Sequence, residues 1–185
     1  DYIIVGGGSA GCVLAEKLTA CGRHQVLLLE AGPSDRRFGV QVPIGYGILF
    51  HQKAVNWMYS SDPVPGLDGR VIYHPRGKVL GGSGSINALV YHRGQAGDYD
   101  DWAAAGNDGW SYADVSTHFE QLETPLQDDP RAPHLSVTDN SADFHPMGSD
   151  FLEICRQGQL PVCDAPAREG LGITPYLTTT RDGQR

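Results

Sequence analysis

The sequence predicts an α/β fold that opens with a parallel β-α-β unit, and three stretches carry that prediction. Tyr2-Ile3-Ile4-Val5 is a short apolar run rich in β-branched residues, which reads as a buried strand. Gly6-Gly7-Gly8-Ser9-Ala10-Gly11 follows it without a spacer. Beyond these glycines Ala10, Val13, Leu14 and Leu18 form one apolar helical stripe, with Gly22 placed to end the helix in a left-handed conformation. Val26-Leu27-Leu28-Leu29 is then a second strand, closed by Glu30.

Each residue type in this series has a physical task. Gly6 lets the chain turn sharply off the strand, Gly8 lets the backbone approach a pyrophosphate, and Gly11 lets the helix pack tightly on the sheet. The free N–H groups of the first helical turn point at the phosphates, aided by a dipole equivalent to roughly half a positive charge. Glu30 stands about 20 residues beyond the last glycine, where a carboxylate accepts hydrogen bonds from adenosine ribose hydroxyls. The pattern therefore predicts a dinucleotide site, and an acid at this position disfavours a 2′-phosphate and hence NADP. The alternatives are a glycine-rich turn without ligand and a solvated Glu30 at a strand end. The strand, helix and acid around the glycines weigh against the first. The four apolar residues before Glu30 weigh against the second, since a partly buried carboxylate requires a partner.

Composition narrows the class. The 185 residues are 40% apolar and 19% charged, as in a globular protein, while 24 Gly and 12 Pro imply much loop. A net charge of −8 argues against nucleic acid and anionic membrane as partners. The acids between Asp98 and Asp129 read as a solvated face. No apolar run reaches membrane-spanning length and no signal-peptide pattern opens the chain, so a cytoplasmic protein without an integral membrane segment is expected. An initiator Met is also lacking, and the true N-terminus is expected to lie upstream. Cys12, Cys21, Cys155 and Cys163 show no zinc-like spacing and are expected as reduced thiols, Cys12 as a small core residue. A Cys155–Cys163 disulfide is the alternative. The seven histidines are scattered singly, and none reads as a metal ligand or a base.

From Gly32 to Arg70 the pattern departs from a plain nucleotide-binding half. Pro33, Pro43, Pro63 and Pro65 lie amid glycines and aromatics, no helix of useful length fits, and a long irregular excursion in a compact domain is usually functional. Val55 to Ser60 is its most strand-like part. Trp57 and Tyr59 within it read as packed strand residues or, alternatively, as rings lying against a flat cofactor. Val71-Ile72-Tyr73 leads into Arg76-Gly77-Lys78-Val79-Leu80-Gly81-Gly82-Ser83-Gly84-Ser85-Ile86-Asn87-Ala88-Leu89-Val90. The small residues from Gly81 to Ser85 predict a close-packed turn feeding a helix that carries Ile86, Leu89 and Val90. Such a turn either binds a ligand through backbone N–H groups or merely packs a helix on a sheet. Two such turns in one chain point to one large ligand held at both ends.

The run Gly77 to Asn87, with Tyr91, Gly94 and Asp100 at their spacings, closely resembles the first signature of the glucose-methanol-choline oxidoreductases. Asp1 to Gly11, Leu29-Glu30-Ala31-Gly32, Asn56-Trp57 and Gly109-Trp110-Ser111-Tyr112 resemble the same family, and the match is weakest from Thr124 to Pro146. The resemblance implies an incomplete FAD-binding Rossmann-like domain of this family's type, followed by the beginning of a substrate domain. Residues 1–133 would form the N-terminal part of the FAD domain with its long loop insertion, and 134–185 would cross into the substrate domain. It implies FAD rather than NAD, with Gly6, Gly8, Ser9, Ala10 and Gly11 at the pyrophosphate and Glu30 with Ala31 at the ribose. Arg76 to Val90 would run beside the flavin, Gly82, Asn87, Ala88 and Val90 nearest to it, with Val79 and Trp57 as further cofactor contacts. Some members attach flavin through a His directly before that Asn; Ile86 stands there in this chain, so dissociable FAD is expected.

The remaining segments predict helices from Asp98 to Ala105, from Ser111 through Val115, Phe119 and Leu122, and from Ser149 to Arg156. A surface crossing is expected between Thr124 and Pro146, and a strand at Tyr176 to Thr180 before the turn Asp182-Gly183. Family members are several times longer, and their catalytic base lies in the C-terminal part. No catalytic residue is therefore expected in this segment, and the chain reads as the N-terminal portion of a larger alcohol oxidoreductase, similar to choline dehydrogenase. Its partners would be a small alcohol, oxygen or a quinone as electron acceptor, and the remainder of its own chain. A hydroxynitrile lyase of the same fold, or a non-catalytic flavin-binding remnant, are the rival readings.

Overall fold

The computed structural model describes residues 1–123, 135–163 and 171–185. By contact the chain divides into two compact units, Asp1–Leu89 with Asp182–Arg185, and Val90–Arg181. The boundary expected at 133/134, and the crossing as far as residue 134, lie outside the described residues.

The first unit opens as the sequence predicts. Strand β1 (Tyr2–Val5) and strand β2 (Val26–Leu29) pair in parallel, Tyr2 opposite Val26 and Val5 opposite Leu29, joined through helix α1 (Ser9–Thr19). Gly22 follows the helix at φ 67°. The apolar stripe of α1 does not form a core, however. Val13 and Leu14 remain 47% and 52% exposed, Cys12 is also exposed rather than a core residue, and of this helix only Gly11 is buried. Two strands are too narrow a surface to cover an eleven-residue helix.

The core of this unit comes instead from the irregular excursion together with the second glycine-rich segment. Val40, Leu49, Val55, Val79 and Ile86 form one buried cluster with Phe50 packed against it. Burial of each such side chain contributes about 1.5–3 kcal/mol. Two one-turn α-helices, α2 (Phe38–Gln41) and α3 (Tyr46–Leu49), and two 3-10 turns, Pro43–Gly45 and Pro65–Leu67, interrupt the excursion, in keeping with the absence of any longer apolar periodicity. The strand expected at Val55 to Ser60 shrinks to β3 (Tyr59–Ser60), which pairs antiparallel with β4 (Tyr73–His74). Met58, at φ 57°, breaks the extended run before it. The helix expected after Gly81–Ser85 is likewise absent. Gly82–Ser85 makes one 3-10 turn, Asn87 Oδ1 accepts the Leu89 N–H at 3.0 Å, and Leu89 sits at φ 67°. That side-chain-closed turn, of the kind Asn favours, competes with helix and turns the chain away.

In the second unit β5 (Val90–Tyr91) pairs antiparallel with β6 (Leu177–Thr178), shorter than the expected strand from Tyr176 to Thr180. Helix α4 (Ala96–Ala104) starts two residues before its expected position because Gln95 and Asp98 form a reciprocal cap. Helix α5 (Tyr112–Glu123) begins at the predicted Ser111–Asp114 cap, with Ser111 Oγ donating to Asp114 Oδ2 at 2.5 Å. Helix α6 (Pro146–Gln157) starts three residues early: Pro146 occupies its first turn, and His145 Nδ1 accepts the Met147 N–H at 3.2 Å. All four cysteines are free thiols. No helix among the described residues is long and apolar enough to cross a membrane, and none of their His, Cys, Asp and Glu side chains cluster as a metal site.

Candidate dinucleotide site

The two glycine-rich turns, about seventy residues apart in sequence, meet in space. Gly81 N donates to Gly7 O at 2.7 Å, and Gly8 and Gly81 form a parallel bridge. A Cβ on Gly82 would lie 2.8 Å from Gly8 Cα, and one on Gly11 would collide with the Gly6 carbonyl. The first contact explains why the second turn needs glycine at its point of approach, position 82; the second seats α1 on the end of β1.

Glu30 ties this arrangement together. Its Oε2 accepts the Gly7 N–H at 2.7 Å and its Oε1 the Gly32 N–H at 2.8 Å. The partner that a half-buried carboxylate at this strand end required is thus the glycine turn itself. Each oxygen keeps a further lone pair for a ligand hydroxyl.

Beside these turns lies a cavity of about 590 Å³, lined by Val5, Gly6, Gly8, Leu29, Glu30, Ala31, Trp57, Tyr59, Arg76, Gly77, Gly82 and Ser83. Gly6, Gly8, Glu30, Ala31, Trp57, Arg76 and Gly82 from the sequence reading are therefore brought together on its wall. Ser9, Ala10 and Gly11 start the adjoining helix without lining the cavity, and Val79 is fully buried in the core behind it. Asn87 and Ala88 lie exposed beyond the 3-10 turn, and Val90 belongs to β5 of the second unit.

Trp57 is not packed into a strand. It is 43% exposed, stacks on Tyr59 with centroids 5.9 Å apart and planes within 5°, and carries Lys78 Nζ 4.8 Å from its ring centroid. An aromatic pair, a carboxylate, a guanidinium and two backbone turns free of side chains suit a ligand with flat rings, hydroxyls and phosphates.

Sequence reasoning gave no structural role to two supports of this wall. Asn56, 1% exposed, donates from Nδ2 to Phe50 O at 2.8 Å and to Tyr73 Oη at 2.9 Å, while Oδ1 accepts Met58 N and Arg76 N, each at 2.9 Å. Its visible signals were the Asn56-Trp57 pair of the family resemblance and a polar residue set between the apolar Val55 and Trp57. Gly7, the second support, was given no task of its own beside Gly6, Gly8 and Gly11.

Over residues 1–185 the chain matches the model of the GMC oxidoreductases. It belongs to that family. A GMC relative, the oxygen-dependent choline dehydrogenase of Photobacterium profundum, is 41% identical across the whole chain, which covers 34% of that protein. Among solved structures, pyridoxine 4-oxidase from Mesorbium loti superposes with a TM-score of 0.87 at 30% identity, covering all of this chain and 37% of that one. An FAD-dependent oxidoreductase from Chaetomium thermophilum does so at 0.78 and 31%, over 97% and 33%. The chain thus spans about a third of the length of the GMC proteins it matches, and its fold is the N-terminal, FAD-binding part of theirs.

Proposed function

We propose that this chain is the FAD-holding part of an enzyme that oxidises an alcohol CH–OH group, similar to choline dehydrogenase. The observation that carries the reading is the meeting of the Gly6–Gly11 and Gly77–Gly82 turns beside the Glu30 carboxylate, a cradle that side chains larger than hydrogen would fill. The residues present fit FAD. The turns and the N-terminus of α1 offer backbone N–H groups to the pyrophosphate, Glu30 with Ala31 serves the ribose, and Arg76 adds a positive charge to the cavity wall. Trp57 and Tyr59 supply a flat apolar face.

Bound there, FAD supplies acceptance of a hydride from the alcohol carbon. The chain's own residues would position that cofactor, while the proton of the hydroxyl would go to a base elsewhere in the protein and oxygen or a quinone would take the electrons. Ile86, 1% exposed in the core, offers no nucleophile, which supports FAD held without a covalent bond. Residues 1–133 serve the FAD domain, 134–185 begin the substrate domain, and the four free thiols favour the cytoplasm. The test is turnover of the whole protein on a panel of primary alcohols with an artificial electron acceptor. Reduction of the acceptor is the expected result. A flavin-containing protein that reduces no acceptor but cleaves hydroxynitriles would replace this reading with the lyase.

A further inference from the structure

Arg185 is separated from Asn87 by 98 residues of sequence and meets it in space within the first unit. Its Nη1 donates to Asn87 Oδ1 at 2.7 Å and to Gly84 O at 2.8 Å, its Nη2 to Asn87 O at 2.7 Å, and its Nε to Val40 O at 3.0 Å. Its own N–H donates to Gln41 O at 3.2 Å. All of these acceptors are neutral oxygens, and partial burial pulls the guanidinium below its ordinary pKa.

The consequence falls on Asn87. Its Oδ1 accepts from Leu89 N at 3.0 Å and from Arg185 Nη1. Two donors on one atom fix which end of the amide is oxygen and leave Nδ2, with its two N–H groups, turned away from both. Among the described residues Nδ2 meets no acceptor, and Asn87 is exposed. We infer that Arg185 is a positioning residue for FAD: it clamps the 84–87 turn against α2 and turns the Asn87 amide so that Nδ2 stands outward as a donor to the cofactor. The inference rests on the FAD reading above, and on the resemblance that sets Asn87 beside the flavin.

A lysine does not replace this arginine, because one ammonium on a flexible stem cannot reach the three main-chain oxygens and the amide together. The test uses the whole protein, stripped of flavin and titrated with FAD, as wild type, R185A, R185K, N87A and the R185A/N87A double variant. Loss of a donor held by a charged group predicts a dissociation constant raised about tenfold or more in R185A and in N87A, with a shifted flavin absorption band in each. The double variant should bind FAD within about twofold of N87A, because the two residues act through one amide. R185K should resemble R185A, and it replaces R185A in the cycle if R185A does not fold. Effects that multiply in the double variant, or a wild-type affinity and spectrum in R185A or R185K despite a lower melting temperature, overturn the inference and leave Arg185 a purely structural clamp. A wild-type protein that binds no FAD overturns the FAD reading itself, and this inference with it.

Discussion

Replacing Asn56 by Ala would remove, in one step, the four hydrogen bonds that hold the wall of the cavity. The side chain is 1% exposed and each of its polar hydrogens and its oxygen is used: Phe50 O, Tyr73 Oη, Met58 N and Arg76 N are its partners. Not all four would be orphaned, because the Tyr73 hydroxyl also donates to Phe50 O and can go on doing so. The loss therefore concentrates on the Met58 and Arg76 N–H groups, at about 1–3 kcal/mol for each donor left unpaired. Asn56→Ala is expected to lower the unfolding free energy by about 2–6 kcal/mol on that basis, measured by urea unfolding of the whole protein with the slope unchanged. Because those two N–H groups flank Trp57 and precede Gly77, ligand affinity at the cavity should fall as well. Asn56→Asp separates the parts of the effect. Its carboxylate keeps the acceptor for Met58 and Arg76 but sets a buried charge against the Phe50 carbonyl. Its pKa in the fold would then be raised, so this variant should gain stability as the pH falls through that pKa and the neutral acid can donate to Phe50. An Asn56→Ala protein within 0.5 kcal/mol of wild type (about the scatter of a neutral surface change) would refute the reasoning.

Other expectations follow from single contacts. Glu30→Ala removes a carboxylate that accepts from Gly7 and Gly32, and should weaken FAD by about 1.5–3 kcal/mol per charge-assisted hydrogen bond lost, read as a raised dissociation constant in a titration. Gly11→Ala drives a methyl into the Gly6 carbonyl, a backbone atom that cannot step aside, and should cost about 1–3 kcal/mol in thermal unfolding. In the second unit the Tyr91 hydroxyl donates to Glu123, and burial, then that bond, pushes its pKa from 10 up to about 12. The neutral phenol is thus favoured by folding: its contribution is complete below pH 10 and disappears as the pH rises to about 12, visible as one tyrosine that ionises late in ultraviolet absorbance and vanishes in Tyr91→Phe. Glu123→Gln should bring that step only part of the way back, since burial is the larger cause. Burial alone would raise Glu123, but bonds from Arg93, at 2.5 and 2.8 Å, and from Tyr91 hold it below 4.5; its contribution is present above that pH and lost as the pH falls below it.

The parts of the molecule that could be read from sequence are those in which one local rule acts unopposed. Tyr2–Val5, the glycine turn and Val26–Leu29 carry strand, turn and strand signals without conflict, and they form the expected parallel pair. Ser111 and Asp114 announced a helix start by chemistry confined to four residues. The segment after Gly82 failed because its apolar spacing suits a helix while Asn87 closes a turn onto Leu89, and nothing in the spacing says which prevails. Trp57 failed in the other direction: β-propensity suggested a strand, but Asn56 gathers Phe50, Tyr73 and Arg76 around itself, a long-range network that no window of sequence displays. For the site, the glycines and Glu30 were legible because their spacing is set by the ligand class itself. The direct contact between the two turns, the Gly7–Glu30 bond and the reach of Arg185 to Asn87 were not, since each joins residues more than twenty positions apart.

The visible absorption spectrum of the purified whole protein, before and after heat release of any chromophore, tests the central claim most directly. An oxidised-flavin spectrum whose chromophore passes into the supernatant is predicted, with both features lost together in Glu30→Ala. A colourless protein that takes up no added FAD, or a flavin that stays with the denatured chain, would contradict the account.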